Sequence, residues 1–177
     1  VLYLRHLVES EVNAGRLTRQ ADVWLWDGRP VLSPTLAELV EARITQIPSA
    51  VQDVLDVLAV AEPLDAEVIT AITDPDALTE AELLGLTTVS PSGRSAQVRL
   101  AHPMFGEVRR TGSARLRQLA GRVATELGQR GGTDPRDLVR RAMLMIASDL
   151  APDAELLVAA AWAATQLLDV RLAVTLA

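Results

Sequence analysis

Val98-Arg99-Leu100-Ala101-His102-Pro103-Met104-Phe105-Gly106-Glu107-Val108 reads as a short strand that stops at a histidine and turns directly into a helix. Val98 and Leu100 alternate with Gln97 and Arg99, the two-residue period of a half-buried strand. Pro103 cannot donate a backbone hydrogen bond, but at the first helical position that donor has no intrahelical partner in any case. The stretch therefore sets His102 at a strand-to-helix corner, beside a helix N-terminus whose N–H groups favour anions. The chain contains only two histidines, and the other, His6, falls in an ordinary amphipathic helix. One imidazole is not an active site. It is a candidate ligand contact, set against a plainer role in which it closes the corner by bonding backbone.

Immediately upstream, Thr87-Thr88-Val89-Ser90 and Gln97-Val98-Arg99-Leu100 read as strands joined by the polar loop Pro91-Ser92-Gly93-Arg94. Helices precede them. Ser33 is placed to cap a helix that Pro34 opens and whose apolar stripe is Leu36, Leu39, Val40, Ile44 and Ile47. Pro48 breaks it, and Ser49 is placed to cap the next, with Val51, Val54, Leu55, Leu58 and Ala59 apolar. Glu62-Pro63 ends that helix. A third covers about 65–73 through Val68, Ile69 and Ile72, and a fourth runs from about Pro75 to Leu84, stopped by Gly85. Helices followed by a β-hairpin and a closing helix give the order of a winged helix over 34–110.

At the N-terminal side, Leu2, Leu4, Leu7, Val8 and Val12 recur at helical spacing, and Gly15 is the stop. The pattern starts inside this helix without a cap, so the chain is expected to be a piece of a longer protein. Arg16-Leu17-Thr18-Arg19 and Val23-Trp24-Leu25-Trp26 form two short strands, closed by the Asp27-Gly28 turn signal. Trp24 and Trp26 share one face, expected to pack on a helix. On the C-terminal side the pattern is helical throughout, over about 103–111, 113–130, 135–148, 153–167 and 169–177. Asp134-Pro135 and Pro152-Asp153 are helix starts. Antiparallel helices with short loops fit the beginning of an α-solenoid of TPR-like kind, without a period that fixes the repeat type. The expected fold is mainly α, with a winged helix, small β-hairpins and a helical array, divided at 1–33, 34–110 and 111–177.

Composition narrows the function. Apolar residues make up 49% of the chain and aromatics only 3%, so the core is built from Leu, Val, Ala and Ile. With no cysteine, disulfides and thiolate chemistry are excluded. No apolar run reaches membrane-spanning length and no signal-peptide pattern opens the chain, so a cytoplasmic domain is expected. The net charge of −6 conceals an asymmetry: residues 1–90 hold 5 Arg against 15 acids, residues 91–177 hold 12 Arg against 8. Lysine is absent.

Four blocks, taken together and in order, resemble the large ATP-binding transcriptional regulators of the LuxR family. They are Leu2-Tyr3-Leu4-Arg5-His6-Leu7-Val8-Glu9, Leu36-Ala37-Glu38-Leu39-Val40-Glu41-Ala42-Arg43-Ile44, Val57-Leu58-Ala59-Val60-Ala61-Glu62-Pro63-Leu64 and Val98-Arg99-Leu100-Ala101-His102-Pro103. Those regulators are STAND-type ATPases, akin in design to the maltose regulator of enteric bacteria and to NOD-like receptors. The similarity runs from residue 1 to about 110 and more loosely to 177. It implies a long protein: a P-loop ATPase module, a winged helix, a helical sensor array and a C-terminal helix-turn-helix that binds promoter DNA. This chain would hold the end of the ATPase lid region, the winged helix and the first array helices. It carries no G-x-x-x-x-G-K-[ST] phosphate loop, and no DNA-reading helix of the family is visible.

The resemblance also implies ADP and ATP as ligands of the whole protein, and homo-oligomerisation on activation. It maps the winged-helix histidine of the family's Met-His-Asp motif onto His102, as a contact to an ADP phosphate. Ala101 and Pro103 stand where the motif has Met and Asp.

Two other functions are weighed. For an enzyme, the chain offers no nucleophile–base pair, no metal-ligand cluster and no phosphate loop, so this segment is expected to be non-catalytic. For a stand-alone DNA-binding winged helix, the recognition helix would be 65–73. It holds Asp65 and Glu67 and no Arg, which phosphates would repel. Residues 94–141 carry 11 Arg against 4 acids, a charge that could touch nucleic acid, but those arginines are expected to lie on solvated faces of the array and to pair with the acidic first half.

Overall fold

The computed structural model describes residues 2–20, 22–26, 34–92, 95–109, 114–132 and 134–176. The chain divides into two compact units, Val1–Ile47 and Pro48–Ala177. The helix expected to open the winged helix therefore groups with the residues before it, and the three expected segments do not coincide with the two units.

In the first unit, helix α1 spans Leu2–Asn13. It ends at Gly15, whose φ of +69° is the left-handed geometry glycine adopts without a Cβ penalty. Strands β1 (Leu17–Gln20) and β2 (Val23–Trp26) pair antiparallel, with Leu17 opposite Trp26. Glu11 of α1 is buried, and its carboxylate accepts hydrogen bonds from Arg16 at 2.9 and 2.7 Å and from the Trp26 indole N–H at 2.9 Å. That acceptor, rather than a purely apolar face, ties the Trp-bearing strand to the helix; Trp24 and Trp26 remain about half exposed. Helix α2 covers Pro34–Ile44. Val40 and Ile44 are buried, but Leu39 is exposed, so the expected apolar stripe is narrower than the sequence pattern. Ser33 and the Asp27-Gly28 turn lie outside the described residues.

The second unit is built around helix α3, Ser49–Ala61. Val51, Val54, Leu55, Val57, Leu58, Ala59 and Ala61 are all buried, a span too wide for one apolar stripe and the pattern of a helix enclosed by neighbours. Its N-cap is Pro48 and no side chain caps it; Ser49, expected as the cap, is already the first helical residue. After α3 come strand β3 (Leu64–Asp65), helices α4 (Ala66–Ile72) and α5 (Pro75–Leu83), and strands β4 (Thr87–Ser92) and β5 (Ser95–Leu100). The three strands form one antiparallel sheet in the order β3-β5-β4, with Leu64 opposite Val98 and Val89 opposite Val98 on the other side. Strand β3, two residues long, has no sequence signature of its own. Asp74 caps α5 by accepting from the Asp76 N–H, and Gly85, at φ +66°, turns the chain from α5 into β4.

Beyond the sheet follow α6 (Pro103–Arg109), α7 (Ala114–Gln129), α8 (Pro135–Ile146), α9 (Ala154–Gln166) and α10 (Val170–Leu176). From α7 onward each helix packs on its successor. Asp134 and Asp153 cap α8 and α9 as the sequence indicates, accepting from Arg136 N and Leu156 N. Ala142, Met145, Leu156, Ala160, Ala164 and Leu176 form the core of this layered part. Among the described residues no helix is long and apolar enough to cross a membrane.

Candidate functional site

The corner that carries His102 is fixed by four hydrogen bonds. Strand β5 ends at Leu100, whose N–H donates to Glu62 Oε2 at 3.0 Å; Glu62 is the C-cap residue of α3. The next N–H, of Ala101, donates to the Leu86 carbonyl at 2.9 Å. His102 then opens α6: its carbonyl accepts from Phe105 N, and its Nδ1 accepts from Met104 N at 3.2 Å. The half-buried imidazole thus closes the corner, as the plainer reading of the sequence has it. Its position is set by bonds to neighbouring backbone.

Helix α6 is held at its other end by a charge cluster that the sequence reading missed. Asp56 of α3 is 1% exposed. Arg109, the last residue of α6, grips its carboxylate with two nitrogens, one of them 2.8 Å from Oδ2. Arg115, in the first turn of α7, donates to the same Oδ2 at 3.0 Å and also pairs with Asp53. The signal was present in the sequence: Asp56 interrupts an otherwise apolar run, Val54-Leu55-Asp56-Val57-Leu58-Ala59-Val60-Ala61. A charge in such a run is buried and paired or the helix is not a core helix.

Other arginines of 94–141 also pair inside the unit. Arg130, just past the end of α7, bridges Glu67 of α4 and Glu126 of α7, at 2.9 and 3.0 Å. Arg122 donates to the Ile72 carbonyl at 2.7 Å. Arg140 of α8 donates to the carbonyl of Ala61 at the C-terminus of α3, where a cation suits the helix dipole. Burial pulls its guanidinium below the ordinary value, with Arg99 adding to the effect and Asp137 and Asp65 opposing it. Arg109, Arg115, Arg122, Arg130 and Arg140 thus meet acidic side chains or carbonyls of α3 and α4, while Arg117 is bound to Asp149.

The helix directly before the hairpin is α5, the fourth helix of the sequence pattern. It carries Asp76, Glu80 and Glu82, all exposed, and no basic residue. Asp65 is taken up by a bond from Ser95 Oγ at 3.0 Å. Among the described residues no group of three or more acidic or histidine side chains could hold a metal ion. His6 lies on α1, in the first unit.

No protein-family model, no curated protein and no solved structure matches the chain.

Proposed function

We propose that this chain is a non-catalytic regulatory segment of a nucleotide-gated, cytoplasmic transcriptional regulator of the LuxR, STAND-ATPase kind. In it a winged helix links the ADP or ATP state of a P-loop module to a TPR-like helical array. The observation that carries the proposal is the His102 corner: a half-buried imidazole held at the junction of β5 and α6, its Nδ1 accepting from Met104 N–H. The order helix, strand, helix, helix, hairpin, with sheet order β3-β5-β4, supports the winged-helix assignment. The successive packing of α7 to α10 supports the array. ADP binds through His102 together with the P-loop module, and promoter DNA is bound by a separate helix-turn-helix, both supplied by the longer protein.

A stand-alone DNA-binding winged helix fits less well. Its reading helix would be α5, with three exposed carboxylates and no cation, against a polyanion whose backbone supplies most non-specific affinity. The test in the intact regulator is an inducer titration of promoter activation. His102→Ala weakens the resting, ADP-bound state, so activation reaches half-maximum at lower inducer. An unchanged inducer midpoint, with the protein folded and expressed as wild type, overturns the role of His102.

A further inference from the structure

Asp56 is a buried carboxylate that belongs to α3 and is shared by two arginines of different helices. Arg109 reaches it from the end of α6 and Arg115 from the start of α7. Asp53, one turn earlier on α3, completes the set, so that two cations face two carboxylates. Helix α6 is only seven residues long and is gripped at both ends, by His102 at the first turn and by Asp56 at the last. Such a short helix has little stability of its own, so its position follows whatever holds its ends.

We propose that Asp56 is a positioning residue that couples α6 to α7, so that a displacement of the His102 corner reaches the helical array through one carboxylate. The coupling is a property of this chain alone; its use in nucleotide signalling rests on the reading given above. The physical basis is sharing. With either arginine removed, Asp56 keeps the other. With both removed, a carboxylate is left buried without its cations, a far less favourable state than two independent losses would give. Two separate surface ion pairs would instead lose their contributions additively.

The first experiment is a double-mutant cycle on the chain itself, with Arg109→Gln, Arg115→Gln and both together, read by denaturant unfolding. The unfolding equilibrium constant of the double variant is expected to exceed the product of the two single-variant increases by about tenfold. Adding Asp56→Asn to the double variant removes the buried charge and recovers most of that excess. Additive singles, or no recovery, overturn the proposal.

Should the double variant not fold, native-state hydrogen exchange of wild type decides. Amides of α6 and of the first turns of α7 are expected to open together, with one denaturant dependence, and to open separately in Asp56→Asn. Independent opening in wild type overturns the proposal. In the intact protein, Asp56→Asn should keep ADP affinity within about twofold of wild type while abolishing the ADP-dependent change in exchange of α7. An ADP affinity that falls as in His102→Ala would make Asp56 part of the nucleotide contact and overturn its coupling role. Wild-type protein that binds no ADP would refute the nucleotide reading and leave the cycle to decide the coupling.

Discussion

Replacing Glu62 by Ala should loosen the His102 corner. Glu62 Oε2 is the acceptor for the N–H of Leu100, a residue only 7% exposed, at the point where β5 ends. In the antiparallel register Leu100 sits opposite Thr87 at the end of the pairing, so the side chain from the end of α3 completes what the ladder leaves open. A hydrogen bond to a charged acceptor contributes about 1.5–3 kcal/mol, and a buried N–H left without a partner costs about 1–3 kcal/mol. These describe the same loss from two sides and are not summed, so Glu62→Ala should cost about 2 kcal/mol. In a chain of this size that lowers Tm by roughly 4–8 °C. Glu62→Gln retains an amide oxygen at the same place and should lose about half as much, since neutral hydrogen bonds contribute less. Thermal unfolding followed by circular dichroism gives the stability, and hydrogen exchange of the Leu100 amide gives the local effect, expected to accelerate at least tenfold in the Ala variant. If Glu62→Ala melts within 1 °C of wild type and the Leu100 amide keeps its protection, the carboxylate does not hold the corner.

Three further outcomes follow from individual side chains. Thr87 is buried, and its hydroxyl has no hydrogen-bond partner among the described residues, so Thr87→Val should raise stability by about 1 kcal/mol in chemical denaturation; a loss of that size would mean a hidden partner. Gly85→Ala forces a Cβ into left-handed backbone with open space around it, so the strain alone should cost about 1 kcal/mol, again read by denaturation. Glu11→Ala removes the acceptor shared by Arg16 and Trp26, so amides of β1 and β2 should lose their exchange protection while those of β4 and β5 keep theirs.

Much of the element order was legible because its signals are local. Prolines at 34, 75, 103 and 135 each open a helix, Gly15 and Gly85 turn the chain at positive φ, and Asp134 and Asp153 cap. The hairpin strands were legible from the alternation of Val98 and Leu100. What escaped was non-local. Strand β3 exists because Leu64 and Asp65 lie along β5, a pairing no two-residue pattern encodes. Ser49 looked like a cap because serine commonly is one, yet the helix begins at it, after Pro48. The grouping of α2 with the first unit depends on tertiary contacts, not on the turn signal at Pro48. Of the candidate site, the strand-to-helix corner at His102 was legible, and the plainer alternative of a bond to backbone is met by the Met104 N–H. Asp56 was not legible as part of a site because its cations lie more than fifty residues away in sequence.

The most direct test of the proposed function is calorimetry of ADP binding to the intact regulator, wild type against His102→Ala. Loss of one charge-assisted hydrogen bond to phosphate, about 1.5–3 kcal/mol, should weaken ADP binding about ten- to a hundredfold, with folding unchanged by circular dichroism. Equal affinities in the two proteins would leave His102 as a residue that only closes its corner, and would contradict nucleotide sensing at this site.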